Sequence, residues 1–256
     1  PFSVDGLAER TMNTDPVERL DEKLLSIVPR VDKQVYSMRA VMNAVFDEHS
    51  VFEMGKRWGR AAITAFARLD GWPVAVLASD PTYLGGSWEA LTSQKVKRFV
   101  ELAERFRLPV VHLVDNPGFM IGLEAERSGT IRYGVEAMNA VYKAKTPWAS
   151  IIIRRAYGIA GSAMSNGERF QYRFAWPSGD WGSLPIAGGL EAAYKSEIAA
   201  ADDPAAKLAE IKARLDAVTS PFRTAEKFNV EDIIDPRDTR PLLCEFADIA
   251  WAKLGR

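Results

Sequence analysis

The chain has 256 residues, 47% of them hydrophobic and 26% charged, which is ordinary for a globular protein and gives ample apolar surface for one large core. Its 33 Lys and Arg against 34 Asp and Glu leave a formal charge of -1, so no global field would draw it to nucleic acid or to anionic lipid. A single cysteine, Cys244, excludes an internal disulfide and a Cys-based zinc site within the chain, and two distant histidines, His49 and His112, argue against a His-rich metal centre, so no metal site is assigned, with carboxylate sites for a hard cation left open.

Residues 1–35 lack sustained periodicity and carry Asp15-Pro16, Asp21-Glu22 and Val28-Pro29, the pattern of an extended or loosely packed linker. Ser37 is a plausible N-cap for a first helix with Met38, Val41, Met42, Val45 and Phe46 on one face. Ala61 to Leu69 and Val74 to Ala78 read as two strands of a hairpin about Asp70-Gly71, with Trp72-Pro73 favouring a loop slightly longer than the tightest turn. A helix follows from Thr92 to Phe106, with Val96, Phe99, Val100 and Leu102 inward and Lys95, Lys97, Arg98 and Glu101 on a solvated face.

Pro109 to Asp115 is a buried strand, broken by Asn116-Pro117-Gly118. A helix from Gly129 to Lys143 and a strand from Ala149 to Arg154 repeat the unit, and Tyr157-Gly158 leads into a helix through Met164. A short strand near Arg173 to Trp176 precedes a helix from Gly189 to Ala199. Two more helices, Pro204 to Val218 and Thr239 to Lys253, are expected to pack outside the core. Alternating strands and helices predict an α/β fold of stacked units with parallel strands.

The apolar runs fall far short of the ~20 residues that cross a bilayer, so no membrane span is expected. The first residues show no basic-then-apolar leader pattern, and a reducing compartment is the default. Cys244 is expected to be a buried thiol and His112 a satisfied core histidine, and most of the seven tryptophans should serve packing.

Two places join a buried strand to a helix through a glycine turn, an arrangement that aims backbone N–H groups at a developing oxyanion. They are Asp115-Asn116-Pro117-Gly118-Phe119 and Arg155-Ala156-Tyr157-Gly158-Ile159-Ala160-Gly161-Ser162. Neither offers an evident side-chain nucleophile, and a purely connecting role for each turn stays open on the residues alone.

Five runs occur in one order: Tyr36-Ser37-Met38-Arg39, Phe66-Ala67-Arg68-Leu69-Asp70-Gly71, Asp115-Asn116-Pro117-Gly118-Phe119, Arg155-Ala156-Tyr157-Gly158 and Asp235-Pro236-Arg237-Asp238-Thr239-Arg240. Together they resemble the C-terminal lobe of the β-type carboxyltransferase subunits of biotin-dependent acyl-CoA carboxylases, such as the propionyl-CoA carboxylase β-chain. The resemblance runs from about Asp15 to the C-terminus, and the last run is the most diagnostic.

The resemblance implies a crotonase (ClpP-like) fold of stacked ββα units with a C-terminal helical extension. Residues 1–35 would be the interlobe linker and 36–256 the C-terminal lobe, with the acyl-CoA-binding N-terminal lobe absent from this chain. It implies transfer of a carboxyl group from carboxybiotin, carried on a separate domain or subunit, to the α-carbon of an acyl-CoA. The backbone N–H groups of Ile159 and Ala160 would be the oxyanion donors on the biotin side, and Gly118, Phe119, Tyr157, Gly158, Gly161 and Ser162 would line the substrate and biotin site. The implied partners are the N-terminal carboxyltransferase lobe, a biotin carboxylase or biotin carrier subunit, and further copies of the chain, as a hexamer in the full enzyme. The location would be the cytoplasm, or the mitochondrial matrix in a eukaryote.

The sequence departs from the family pattern where Ile159 replaces a second glycine, which is expected to narrow the pocket, at the rewritten turn Leu184-Pro185-Ile186-Ala187-Gly188-Gly189, and at Trp88. Ser162 stands where some relatives carry an acidic residue, so acyl-chain choice stays open. Asp80 and Glu89 border the Gly85-Gly86 loop and bind substrate or stay solvated. A decarboxylase using the same site in reverse and a non-catalytic assembly module remain alternatives. A hydratase or isomerase of this fold needs a carboxylate pair at the thioester, which is not evident beside the turns.

Overall fold

The computed structural model describes residues 9–31, 34–162, 168–182, 193–216 and 221–255, so the Leu184–Gly189 turn and the far end of the helix expected through Met164 lie outside it. Ser37 caps helix α1 (Met38–Val45), its hydroxyl accepting the Ala40 N–H. Strands β1 (Phe52–Met54), β2 (Ala62–Leu69) and β3 (Trp72–Ser79) pair antiparallel. From β3 the sheet continues in parallel through β4 (Val110–Asn116), β5 (Trp148–Tyr157), β6 (Gln171–Ala175) and β8 (Asp232–Ile233). A short β7 (Asp180–Gly182), not foreseen in the sequence, pairs with the end of β5.

Helices α2 (Ala90–Arg105) and α4 (Thr130–Lys143) pack against each other over the parallel strands, with a small α3 (Leu123–Arg127) between them in the chain. After the short α5 (Gly158–Ser162) come α6 (Lys195–Ala199), α7 (Pro204–Asp216), α8 (Pro221–Thr224) and α9 (Thr239–Lys253). The parallel strands read as unbroken apolar runs because both faces are covered, and β3 is buried at every position.

Four expectations are corrected. The hairpin turn is the two-residue type after all. Leu69 pairs directly with Trp72, and Asp70 and Gly71 both take positive φ, at 49° and 78°. Asp47 makes this possible by accepting the N–H groups of both turn residues at 3.0 and 2.8 Å. Lys95 is not on the solvated face of α2 but buried, donating to the carbonyls of Gly55 and Ala62 at 3.0 and 2.7 Å. Its burial pushes the ammonium pKa down to about 8.

Helix α9 does not lie outside the core: Leu243, Phe246, Ala247, Ala250 and Trp251 are fully buried within it, and Trp251 stacks on Trp72. The described part of the expected linker is not loose either. Leu24 is buried, Thr11 bonds Gly71, and Arg240 of α9 reaches the carbonyls of Asp15 and Pro16, the Val45 carbonyl and the Asp47 carboxylate.

The run Asp235–Arg240 is therefore structural. Asp235 caps its own turn through the Arg237 N–H, Thr239 accepts the buried Trp176 indole N–H, and Arg240 ties the tail to the core. Cys244 is buried as expected, its thiol pushed up to about 12 by burial. No helix among the described residues is long and apolar enough to cross a membrane.

Candidate functional site

In a parallel sheet the carboxyl ends of neighbouring strands open onto one edge, where loops gather ligands. Here β3, β4 and β5 end together, and their three following loops meet. A register shift between Val114 and Asn116 lifts Asp115 out of the β4 ladder, and Asn116 then pairs with Ala156 of β5. This brings the two glycine turns side by side.

Asp115, fully buried, is the hub of that edge. Its Oδ2 accepts two bonds from Arg154, at 3.1 and 2.9 Å, and its Oδ1 accepts from Arg155 Nε at 2.7 Å and from the Arg155 main-chain N–H at 3.2 Å. Arg155 Nη2 continues to the Gly85 carbonyl at 2.7 Å, which pins the loop after β3. Gly86, at φ 87°, lies so close that an added Cβ would stand 2.5 Å from the Asp115 carbonyl oxygen. The Arg154 guanidinium also rides over the Tyr36 ring and reaches the Gln34 carbonyl. Burial and the neighbouring Asp115 charge hold the Tyr36 phenol well above its ordinary pKa.

The β4 turn is occupied from within. The Gly118 N–H donates to Asn116 Oδ1 at 2.7 Å, and the Gly118 carbonyl accepts the Trp88 N–H at 3.0 Å. Phe119 meets Trp88 edge-on and packs against Gly134, where a Cβ would stand 2.6 Å from its ring. Trp88 is thus a fully buried brace between the β3 and β4 loops.

The β5 turn is built differently. Gly158, at φ 60°, swings the chain directly from β5 into α5. Gly161 lies so near β5 that a Cβ would stand 2.6 Å from the Ala156 carbonyl carbon. The first N–H groups of a helix have no partner within it, and those of Ile159 and Ala160 fall in this first turn. Ala160 is buried, whereas Ile159 is 65% exposed, so the narrowing expected of its side chain is not found within this chain. Tyr157 is buried beneath the turn.

All the site residues named from the sequence lie on these two turns, Ser162 closing α5. The Asp115–Arg154–Arg155 cluster was missed as a unit. Its signal was present: two arginines ending one apolar strand and an aspartate ending its neighbour must satisfy each other or stay uncompensated. Asp80 is neither solvated nor poised for a ligand, being buried and paired with Arg39, and Glu89 accepts a bond from Thr92. His112 is buried, but its Nδ1 has no partner, so it is not the satisfied histidine expected.

The described residues form a mixed sheet whose two glycine turns meet at the carboxyl edge, and neither turn carries an evident side-chain nucleophile. The chain belongs to the carboxyl transferase domain family, whose model matches residues 7–255. It is 32% identical over 244 residues to the propionyl-CoA carboxylase carboxyltransferase subunit of Haloferax mediterranei, covering 94% of this chain and 47% of that one. It is 34% identical over 220 residues to the methylmalonyl-CoA carboxyltransferase 12S subunit of Propionibacterium freudenreichii subsp. shermanii, covering 85% and 42%.

Among solved structures, transcarboxylase 12S with methylmalonyl-coenzyme A and methylmalonic acid bound superposes with a TM-score of 0.87 at 30% identity, over 96% of this chain and 48% of that one. The crotonase-like carboxyltransferase fold implied by the sequence is therefore the fold of this chain. The chain spans about half the length of the curated relatives it matches.

Proposed function

We propose that this chain is the lobe of a biotin-dependent acyl-CoA carboxyltransferase that receives carboxybiotin, with the acyl-CoA held chiefly by a second, N-terminal lobe. The observation that carries this reading is the β5 turn, where Gly158 at φ 60° leads straight from β5 into a short helix at the sheet edge where β3, β4 and β5 end. Carboxybiotin, when bound, supplies the carboxyl group and, after its loss, a nitrogen base. The Ile159 and Ala160 N–H groups would donate to the ureido oxygen as negative charge gathers there, a contribution that needs no acid or base side chain. Gly158 and Gly161 keep that main chain open to close approach, and the Asp115 cluster holds the two strand ends in register.

The exposed Ile121, Leu123, Ile131 and Val135 lie just before α3, at its start and on α4, an apolar surface of the kind a partner lobe covers. Assembly of several copies, with the biotin carboxylase and carrier components as partners, and a cytoplasmic or mitochondrial setting belong to the same proposal. The names of the relatives support a CoA ester as substrate.

The test is Ile159→Pro, assayed as carboxyl transfer in the assembled enzyme. Proline removes one N–H yet is tolerated in the first turn of a helix. The kcat should fall on the order of 10²- to 10³-fold, as when one oxyanion donor is removed, with the KM for acyl-CoA and the circular dichroism little changed. A kcat within twofold of the unmutated enzyme would remove Ile159 from the mechanism.

A further inference from the structure

The antiparallel start of β2 lies at the same end of the sheet as the glycine turns, because Ala62 pairs with Ser79 at the end of β3. The loop feeding it, Gly55-Lys56-Arg57-Trp58-Gly59-Arg60, carries three cations and no acid in a chain whose formal charge is -1. Arg98 of α2 joins them by lying over the Trp58 ring. Lys56, Arg57, Arg60 and Arg98 are all exposed, and none makes an ion pair among the described residues. The nearby Glu53 feels the Lys56 charge but bonds elsewhere, both of its oxygens being held by Arg39 at 2.7 and 2.8 Å.

This loop is a fixed object. The buried Lys95 ammonium grips both ends of its neck through the Gly55 and Ala62 carbonyls. Gly59, at φ 53°, sits where a Cβ would be 2.7 Å from the Leu91 carbonyl oxygen, so the loop lies directly on the start of α2. Arg60 stacks over Tyr83 at 4.4 Å, and the same β3 loop passes through Gly85 to Arg155 at the candidate site. A continuous path of contacts thus joins the basic loop to the strand end that precedes α5.

We infer that the Lys56–Arg60 loop with Arg98 is a docking surface for an acidic face of the protein domain that delivers tethered biotin to the β5 turn. The inference rests on the carboxyltransfer reading and adds the means by which its carrier is oriented. A protein face fits better than a nucleotide. The four cations are exposed along a loop and a helix, and the two rings that could stack a base, Trp58 and Tyr83, each already carry a guanidinium. Charges of this kind speed encounter and set orientation, and they are screened by salt.

The experiment compares the assembled enzyme with its Lys56→Glu/Arg57→Glu variant, using an α-carboxylated acyl-CoA as the carboxyl donor and biotin, presented either free or on its carrier domain, as the acceptor. The variant should raise the KM for the carrier about tenfold and flatten its salt dependence, while the constants for free biotin and for the carboxylated acyl-CoA donor stay unchanged. Equal losses with carrier and free biotin, or no loss with either, would overturn the docking role. A raised KM for the carboxylated acyl-CoA donor alone would overturn it too, making the loop a subsite for the CoA phosphates. No turnover of either acceptor by the unmutated enzyme would instead sink the carboxyltransfer reading beneath it.

Discussion

The two glycine turns at the sheet edge look alike in sequence and are built in opposite ways. At β4 the turn is tied up: Asn116 takes the Gly118 N–H, Trp88 takes the Gly118 carbonyl, and Phe119 is wedged against Gly134. At β5 a glycine at φ 60° opens straight into a helix, and the residue after it is exposed. One turn is braced from within, the other is the one proposed to donate, and the same strand-turn-helix signature underlies both. The difference lies in what the neighbouring side chains occupy.

The largest effect should come from the cluster that holds both turns together. Asp115→Asn leaves Arg154 with an uncompensated buried charge, and a loss of about 3–5 kcal/mol in unfolding free energy is expected by urea denaturation. A loss under about 1 kcal/mol would mean the arginines find other partners and the turns are held independently.

Next in size is a pH signature on the β4 side. Burial, reinforced by Arg173 and Arg169, lowers His112 from its ordinary pKa to about 3. Above about pH 6.5 the ring is neutral folded and unfolded, so its contribution is complete. As pH falls from there towards 3, the unfolded chain takes up a proton that the folded one refuses, and stability declines by about 1.4 kcal/mol per unit. His112→Phe should flatten the stability profile between pH 6 and 4 by one proton. An unchanged slope would place the titration elsewhere.

The smallest effect should come from the brace itself. Asn116→Ala removes one bond to the turn but also an Nδ2 that is buried without a partner. The expected cost is about 1 kcal/mol, with kcat lowered less than the hundredfold or more expected for Ile159→Pro. If the two variants lose comparable activity, the distinction between brace and donor fails.

Much of this was legible in the chain. The Ser37 cap, the Asp70-Gly71 hairpin, the apolar strands and the two glycine turns follow from local chemistry that acts over a few residues. The pattern of α2 does not reveal the burial of Lys95, because helical spacing reports which side a residue occupies, not whether a carbonyl pair waits there. The pattern of helix α9 points outside the core because it does not reveal the Trp72 ring and the β2–β3 surface that the helix covers.

By itself the sequence determined the kind of elements, their order, the parallel character of the sheet and the two places where main-chain donors could open. Those follow from periodicity, turn residues and steric limits that each stretch carries with it. Only the tertiary structure decided which turn is filled, that Asp115 meets Arg154 and Arg155, that Arg240 binds a tail more than 220 positions away in the chain, at Asp15 and Pro16, and that a basic loop stands beside the candidate site. These depend on burial and on pairing across long separations, where a charge or a donor is satisfied only by whatever the completed fold brings to it.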